Sequence, residues 1–159
     1  MNLRFSTIAV AVSVVCVVAV AATVFAGTTT LVVSDGNGTD LAMFPVHDGS
    51  EVTIEYTHSV EKTLVSDVYR VSDGALVDDR MLFSSFGAGL PSEADVERED
   101  DRYVYYPPEQ RYERLSVSTG PVADHDLIVD GERHDLHALA DDGTVQFRIE
   151  SSPRFAHVT

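Results

Sequence analysis

Apolar and polar side chains alternate along residues 51–56, where Val52, Ile54 and Tyr56 interleave with Glu51, Thr53 and Glu55. A period of two sends successive side chains to opposite faces, so this segment reads as a half-buried β-strand. Val145, Phe147 and Ile149 repeat the pattern against Gln146, Arg148 and Glu150, and Leu115 and Val117 do so against Ser116 and Ser118. Further strands are predicted over Thr29–Val33, Ala42–Val46, Val65–Val71, Arg80–Phe86, Tyr103–Tyr106, Asp126–Val129 and Asp135–Leu139. Glycine-bearing turns separate them: Asp35-Gly36-Asn37-Gly38, His47-Asp48-Gly49, Ser72-Asp73-Gly74, Asp130-Gly131 and Asp142-Gly143. The acidic run Ser92–Asp101 reads as a solvated loop after Pro91. Tyr103–Tyr106 reads as an edge strand stopped by Pro107 and Pro108, which cannot donate to a ladder. Short strands punctuated by turns predict an all-β fold, a single β-sandwich or barrel-like domain.

The N-terminus departs from this pattern. Behind Arg4, residues Phe5–Ser34 carry no charge, and Ile8–Phe25 are apolar except for Ser13 and Thr23. As a helix rising 1.5 Å per residue, that stretch reaches roughly 27 Å, enough for a bilayer core. Residues 1–27 are therefore expected to form a hydrophobic helix, either a signal peptide cleaved after Ala26 or a retained membrane anchor. Arg4 favours a cytoplasmic amino end. Both readings place a β domain, residues 28–159, at the extracytoplasmic face of the cytoplasmic membrane, anchored or secreted. The lone Cys16 lies in the apolar segment, so no internal disulfide is possible.

Charge sharpens the picture. The formal net charge is −15, with 26 acidic residues against 11 basic ones, and Lys62 is the sole lysine. Such an excess argues against nucleic acid as a partner, because phosphate backbones need a cationic footprint. It suits a halophilic protein whose self-repulsion is screened by molar salt.

Three clusters could carry chemistry. The densest is Tyr56-Thr57-His58-Ser59-Val60-Glu61-Lys62-Thr63. His58 beside Ser59 suggests a hydrolase, but neighbouring strand residues face opposite ways, so His58 is poorly placed to serve Ser59 as a base. Tying a turn through His58 and Glu61 is the simpler role. The second cluster, His125-Asp126 with His134, Asp135 and His137, would need a helix or turn to converge on a metal. The third is Phe83-Ser84-Ser85-Phe86-Gly87-Ala88-Gly89-Leu90-Pro91, a bulge or turn ending a strand, or a place of close backbone approach. No cofactor or metal is expected.

In this order, the Tyr56–Thr63 motif, the Val65–Tyr69 strand, Phe83 through Gly87-Ala88-Gly89-Leu90-Pro91, His125–Val129 and a closing strand near Val145 resemble the DUF1850 family. The resemblance covers about residues 30–152; Leu64 stands where that family usually carries proline, and Asp67 where it carries glutamate. It implies a non-enzymatic extracytoplasmic accessory protein of a TAXI-type TRAP solute transporter, docking on the permease or its solute-binding protein. The alternative is a stand-alone ligand-binding or hydrolytic module using His58, Glu61 and Asp67. Candidate binding or docking residues are Tyr56, His58, Ser59, Glu61, Asp67, Gly87, Gly89, Pro91 and His125. If the acidic composition is a halophilic adaptation, the circular-dichroism signal of the folded chain should collapse on dilution from molar to tens of millimolar salt. An unchanged spectrum would refute that adaptation.

Overall fold

The alternating segments become strands whose register is set by the turns between them. In the computed structural model, which describes residues 28–86, 96–120, 122–140 and 143–152, there are twelve strands. They are β1 (Thr28–Asp35), β2 (Asp40–Val46), β3 (Glu51–Thr57), β4 (Leu64–Ser72), β5 (Ala75–Phe83), β6 (Val96–Glu99), β7 (Arg102–Tyr105), β8 (Arg111–Tyr112), β9 (Leu115–Ser118), β10 (Asp126–Val129), β11 (Glu132–Asp135) and β12 (Thr144–Ser152). One short helix, α1 (Leu136–Ala140), precedes β12. The segment 1–27, expected to be a hydrophobic helix, lies outside the described residues. Among the described residues, no helix is long and apolar enough to cross a membrane.

Two antiparallel sheets result. The smaller runs β2-β1-β12-β9; the larger runs β11-β10-β3-β4-β5-β7-β6, with β8 added beside β5. Two hairpins of the larger sheet close through two-residue Asp-Gly turns. Asp73-Gly74 joins β4 to β5, and Asp130-Gly131 joins β10 to β11. All four residues hold positive φ, at 46°, 75°, 47° and 90°, as turns matched to the twist of a hairpin require. Both turns were legible as Asp-Gly between apolar runs.

The sheets share one core, which makes the fold a β-sandwich. Leu31 and Val33 of β1, Val46 of β2, and Val145 and Phe147 of β12 meet Val52, Ile54, Val71, Leu76, Leu127 and Val129 of the larger sheet, with Leu136 of α1. The alternating strands β3 and β12 supply this core from their apolar faces, as the pattern implied. A second apolar cluster, built on Val65 and Phe83, lies farther along the larger sheet. In the smaller sheet the outer strand β2 carries Pro45 opposite Thr30 of β1, an edge position that tolerates a missing N–H.

Several elements differ from the pattern-based expectation. Strand β5 begins at Ala75, directly after its turn, rather than at Arg80. Part of the acidic segment forms β6, because β7 offers it a partner over four residues. Strand β7 is consequently an interior strand, between β5 and β6, and not an edge. Residues 136–140 are helical because Asp135 accepts the amide of Ala138 at 2.9 Å, an N-cap that turns the chain out of the ladder.

Phe147 is fully buried where the two sheets meet. Phe147→Ala should cost about 3–5 kcal/mol of stability, read as a fall in the denaturant midpoint at constant salt. A loss below about 1 kcal/mol would mean that the shared core is not what joins the sheets.

Candidate functional site

Strand β4 sets the site through its alternation. Val65, Asp67, Tyr69 and Val71 share one face: the first three pair with Tyr56, Ile54 and Val52 of β3, and all four with residues of β5. Val65 and Val71 join the two apolar clusters. Asp67 therefore stands on the core side of the sheet, between them. Strand β5 meets β4 with a register shift: Val68 faces Arg80, while Tyr69 faces Asp78. Asp79 is thus an inserted residue, a bulge that keeps Asp78 on the Asp67 side. Asp79 itself pairs with Arg70 at 2.9 Å and with Arg80 at 2.5 Å.

The far edge of β5 opens at the same place. Strand β7 pairs with Met81–Phe83 and β8 with Leu76–Val77. Among the described residues, no strand pairs with Asp78–Arg80 on that edge, and the Asp78 amide instead donates to the Gln110 carbonyl at 3.0 Å. Pro107 and Pro108 lie in the connection that leaves the edge here. A cleft of about 190 Å³ results, lined by Asp67, Val68, Tyr69, Asp78, Arg80, Met81, Pro107 and Tyr112.

Its polar groups are carboxylates and phenols. The Tyr56 hydroxyl donates to the Asp67 carboxylate, whose Oδ1 is buried without a hydrogen-bond partner. The Tyr112 hydroxyl donates to Asp78 Oδ2 at 3.2 Å, and the Tyr69 and Tyr112 rings meet edge to face at 5.9 Å. Burial, reinforced by the nearby Asp78 charge, pushes the Asp67 carboxyl up to about 6, against which the Tyr56 hydrogen bond works. Burial also raises Asp78, opposed by Tyr112. Tyr56 is pushed up to about 12 by burial and by the Asp67 charge, and Tyr69 is raised by burial and then by both carboxylates. All these phenols remain protonated donors at neutral pH.

The residues singled out from sequence divide into two places. Tyr56 and Asp67 belong to the cleft region, and His125 stacks on Tyr56 with ring centroids 5.4 Å apart. His125 is buried, its Nδ1 has no hydrogen-bond partner, and burial lowers its basicity against the pull of Asp124. His58 and Glu61 instead organise the β3–β4 turn. His58 Nδ1 accepts the Glu61 amide at 3.1 Å, and Glu61 Oε2 accepts from Ser85 Oγ at 3.4 Å. Lys62 completes the turn at a φ of 57°. Ser59 is exposed at its tip. Neither His58 nor Glu61 lines the cleft that holds Asp67. Gly87, Gly89 and Pro91 lie outside the described residues.

Tyr69, Asp78 and Tyr112 were not singled out. Asp78 sits in an Asp-Asp pair within an acidic chain, and only the bulge, which has no sequence signature here, turns it inward. Tyr112 lies in the polar stretch Gln-Arg-Tyr-Glu and reaches the site through a long-range pairing with Leu76.

Sheet order, shared core and cleft define a small all-β sandwich protein with an acidic, phenol-walled recess on its larger sheet. The chain belongs to the DUF1850 family, whose model, "Domain of unknown function (DUF1850)", matches residues 52–136. That span runs from β3 to the start of α1 and contains every residue of the cleft. No curated protein and no solved structure matches the chain.

A carboxyl that titrates near 6 when folded, and at its ordinary value of 3.8 when unfolded, binds its proton more tightly in the folded state. Its ionisation opposes folding, and the penalty grows as pH rises from about 4 to about 6. Asp67→Asn should therefore stabilise the chain at neutral pH by up to about 3 kcal/mol, with the advantage vanishing below about pH 4. Denaturant melts of both proteins across this range check it, and an advantage independent of pH would rule the mechanism out.

Proposed function

We propose that this protein is a non-enzymatic extracytoplasmic accessory subunit of a TAXI-type TRAP solute transporter, held at the membrane by its N-terminal segment. In this reading the Asp67 cleft is its recognition site. One observation carries the proposal: the larger sheet, which the family match spans, bears a recess of carboxylates and phenols. Groups of this kind recognise and orient a partner by hydrogen bonds and charge. The nucleophile-and-base neighbours named from sequence, Ser59 and His58, stand instead in the β3–β4 turn, where His58 Nδ1 is occupied by a backbone amide. That arrangement supports a structural use of the Tyr56–Thr63 motif and leaves recognition to the cleft. The resemblance to DUF1850 is the reason for naming a transporter as partner, and the uncharged stretch behind Arg4 supports a place beside it.

Tagged full-length chain, co-expressed with a TAXI-type permease and its solute-binding protein and extracted from membranes in molar salt, should retain that permease through affinity purification. The double variant Asp67→Asn/Asp78→Asn should lose most of it. Failure of the native chain to retain either the permease or its solute-binding protein would overturn the proposal.

A further inference from the structure

The ion pairs of the larger sheet are unevenly distributed. On the face opposite the core, carboxylates meet arginines: Glu51 pairs with Arg80 at 2.8 Å, Glu55 with Arg133 at 2.5 Å, Asp126 with Arg133, and the bulge residue Asp79 with Arg70 and Arg80. On the core side, Asp67 and Asp78 each hold a phenol, through Tyr56 and Tyr112, and among the described residues neither is paired with a basic side chain. Arg80, the one basic residue lining the cleft among the described residues, is engaged by Glu51 and Asp79. The recess thus contains two half-buried carboxylates that lack a paired counter-charge among the described residues, one of them with an unpartnered oxygen. Its walls are the Tyr69 and Tyr112 rings, Met81 and Pro107.

Resting on the reading that this cleft is a recognition site, we propose that it binds an organic cation, a guanidinium or alkylammonium group. The two carboxylates supply the negative charge and the hydrogen-bond acceptors that such a group needs. The aromatic and apolar walls suit such a cation, through ring-face attraction and burial of its alkyl part. A space of about 190 Å³ holds the volume of about six waters, enough for the charged end of such a molecule. The group comes either from a free small solute or from an arginine or lysine side chain of a docked protein.

The test titrates the full-length chain with methylguanidinium chloride, at constant ionic strength and near-neutral pH, following backbone amide signals by NMR. Saturable shifts centred on Tyr69, Asp78, Met81 and Tyr112 are expected, with no response to methylurea, the uncharged analogue. Asp67→Asn and Asp78→Asn, each confirmed as folded by its melt, should weaken binding by at least about tenfold. Nα-acetyl-arginine amide binding more tightly than methylguanidinium would indicate a protein side chain, and weaker binding a free solute; either supports the shared chemistry. Equal shifts with methylurea, an identical response to sodium ions alone, or undiminished binding by both variants would overturn the inference. Cation binding without permease retention would sink only the transporter partnership, whereas retention without cation binding would sink only the ligand class.

Discussion

Burying a carboxylate costs free energy unless hydrogen bonds or solvent replace the water it loses, and the alternation of β4 leaves Asp67 no other face. The larger sheet is arranged around that demand. Its apolar surface divides into two clusters, one shared with the smaller sheet and one built on Val65 and Phe83, with Asp67 between them. Tyr56, one strand away, spans the gap with a hydrogen bond to the carboxylate. The bulge at Asp79 and the departure of the chain through Pro107 and Pro108 admit solvent at the same point, so the carboxylate is neither fully dry nor fully wet. The cleft is the space this compromise leaves.

The opposite face solves its charge problem differently. Arg102 donates to Ser66 Oγ at 2.7 Å, Ser66 donates to the buried Glu55 at 3.0 Å, and Arg133 joins Glu55 to Asp126. This chain of polar contacts links β7, β4, β3, β11 and β10. Forked guanidinium groups can serve two acceptors at once, which a lysine does less well; the near absence of lysine fits such bridging. With the arginines committed there, the core-side carboxylates must rely on phenols.

How much of this was legible depended on whether the cause was local. The strands with strict alternation, β3 and β12, and the Asp-Gly hairpins could be read directly, since period and turn chemistry act within a few residues. Strand β6 could not, because Val96-Glu-Arg-Glu has the look of solvated loop and becomes a strand only through β7, with Val96 opposite Tyr105 and Arg98 over the Tyr103 ring. The helix was signalled by Asp135 ahead of Leu-His-Ala-Leu-Ala, but its alternation mimics a strand over so short a run. Of the site, Tyr56, Asp67 and His125 stood out through their motifs. Asp78 and Tyr112 did not, because a one-residue bulge and a two-residue strand decide where they point.

Pro45, on the outer strand of the smaller sheet, has a consequence for how copies of this molecule avoid one another. Like charge normally keeps acidic proteins apart, but at 1 M salt that repulsion reaches only about 3 Å. Under such conditions an open row of backbone donors and acceptors would invite a second chain to extend the sheet. A proline in that row withholds a donor and sets a ring where the neighbour's backbone would lie. The protection is covalent and does not fade as ions are added.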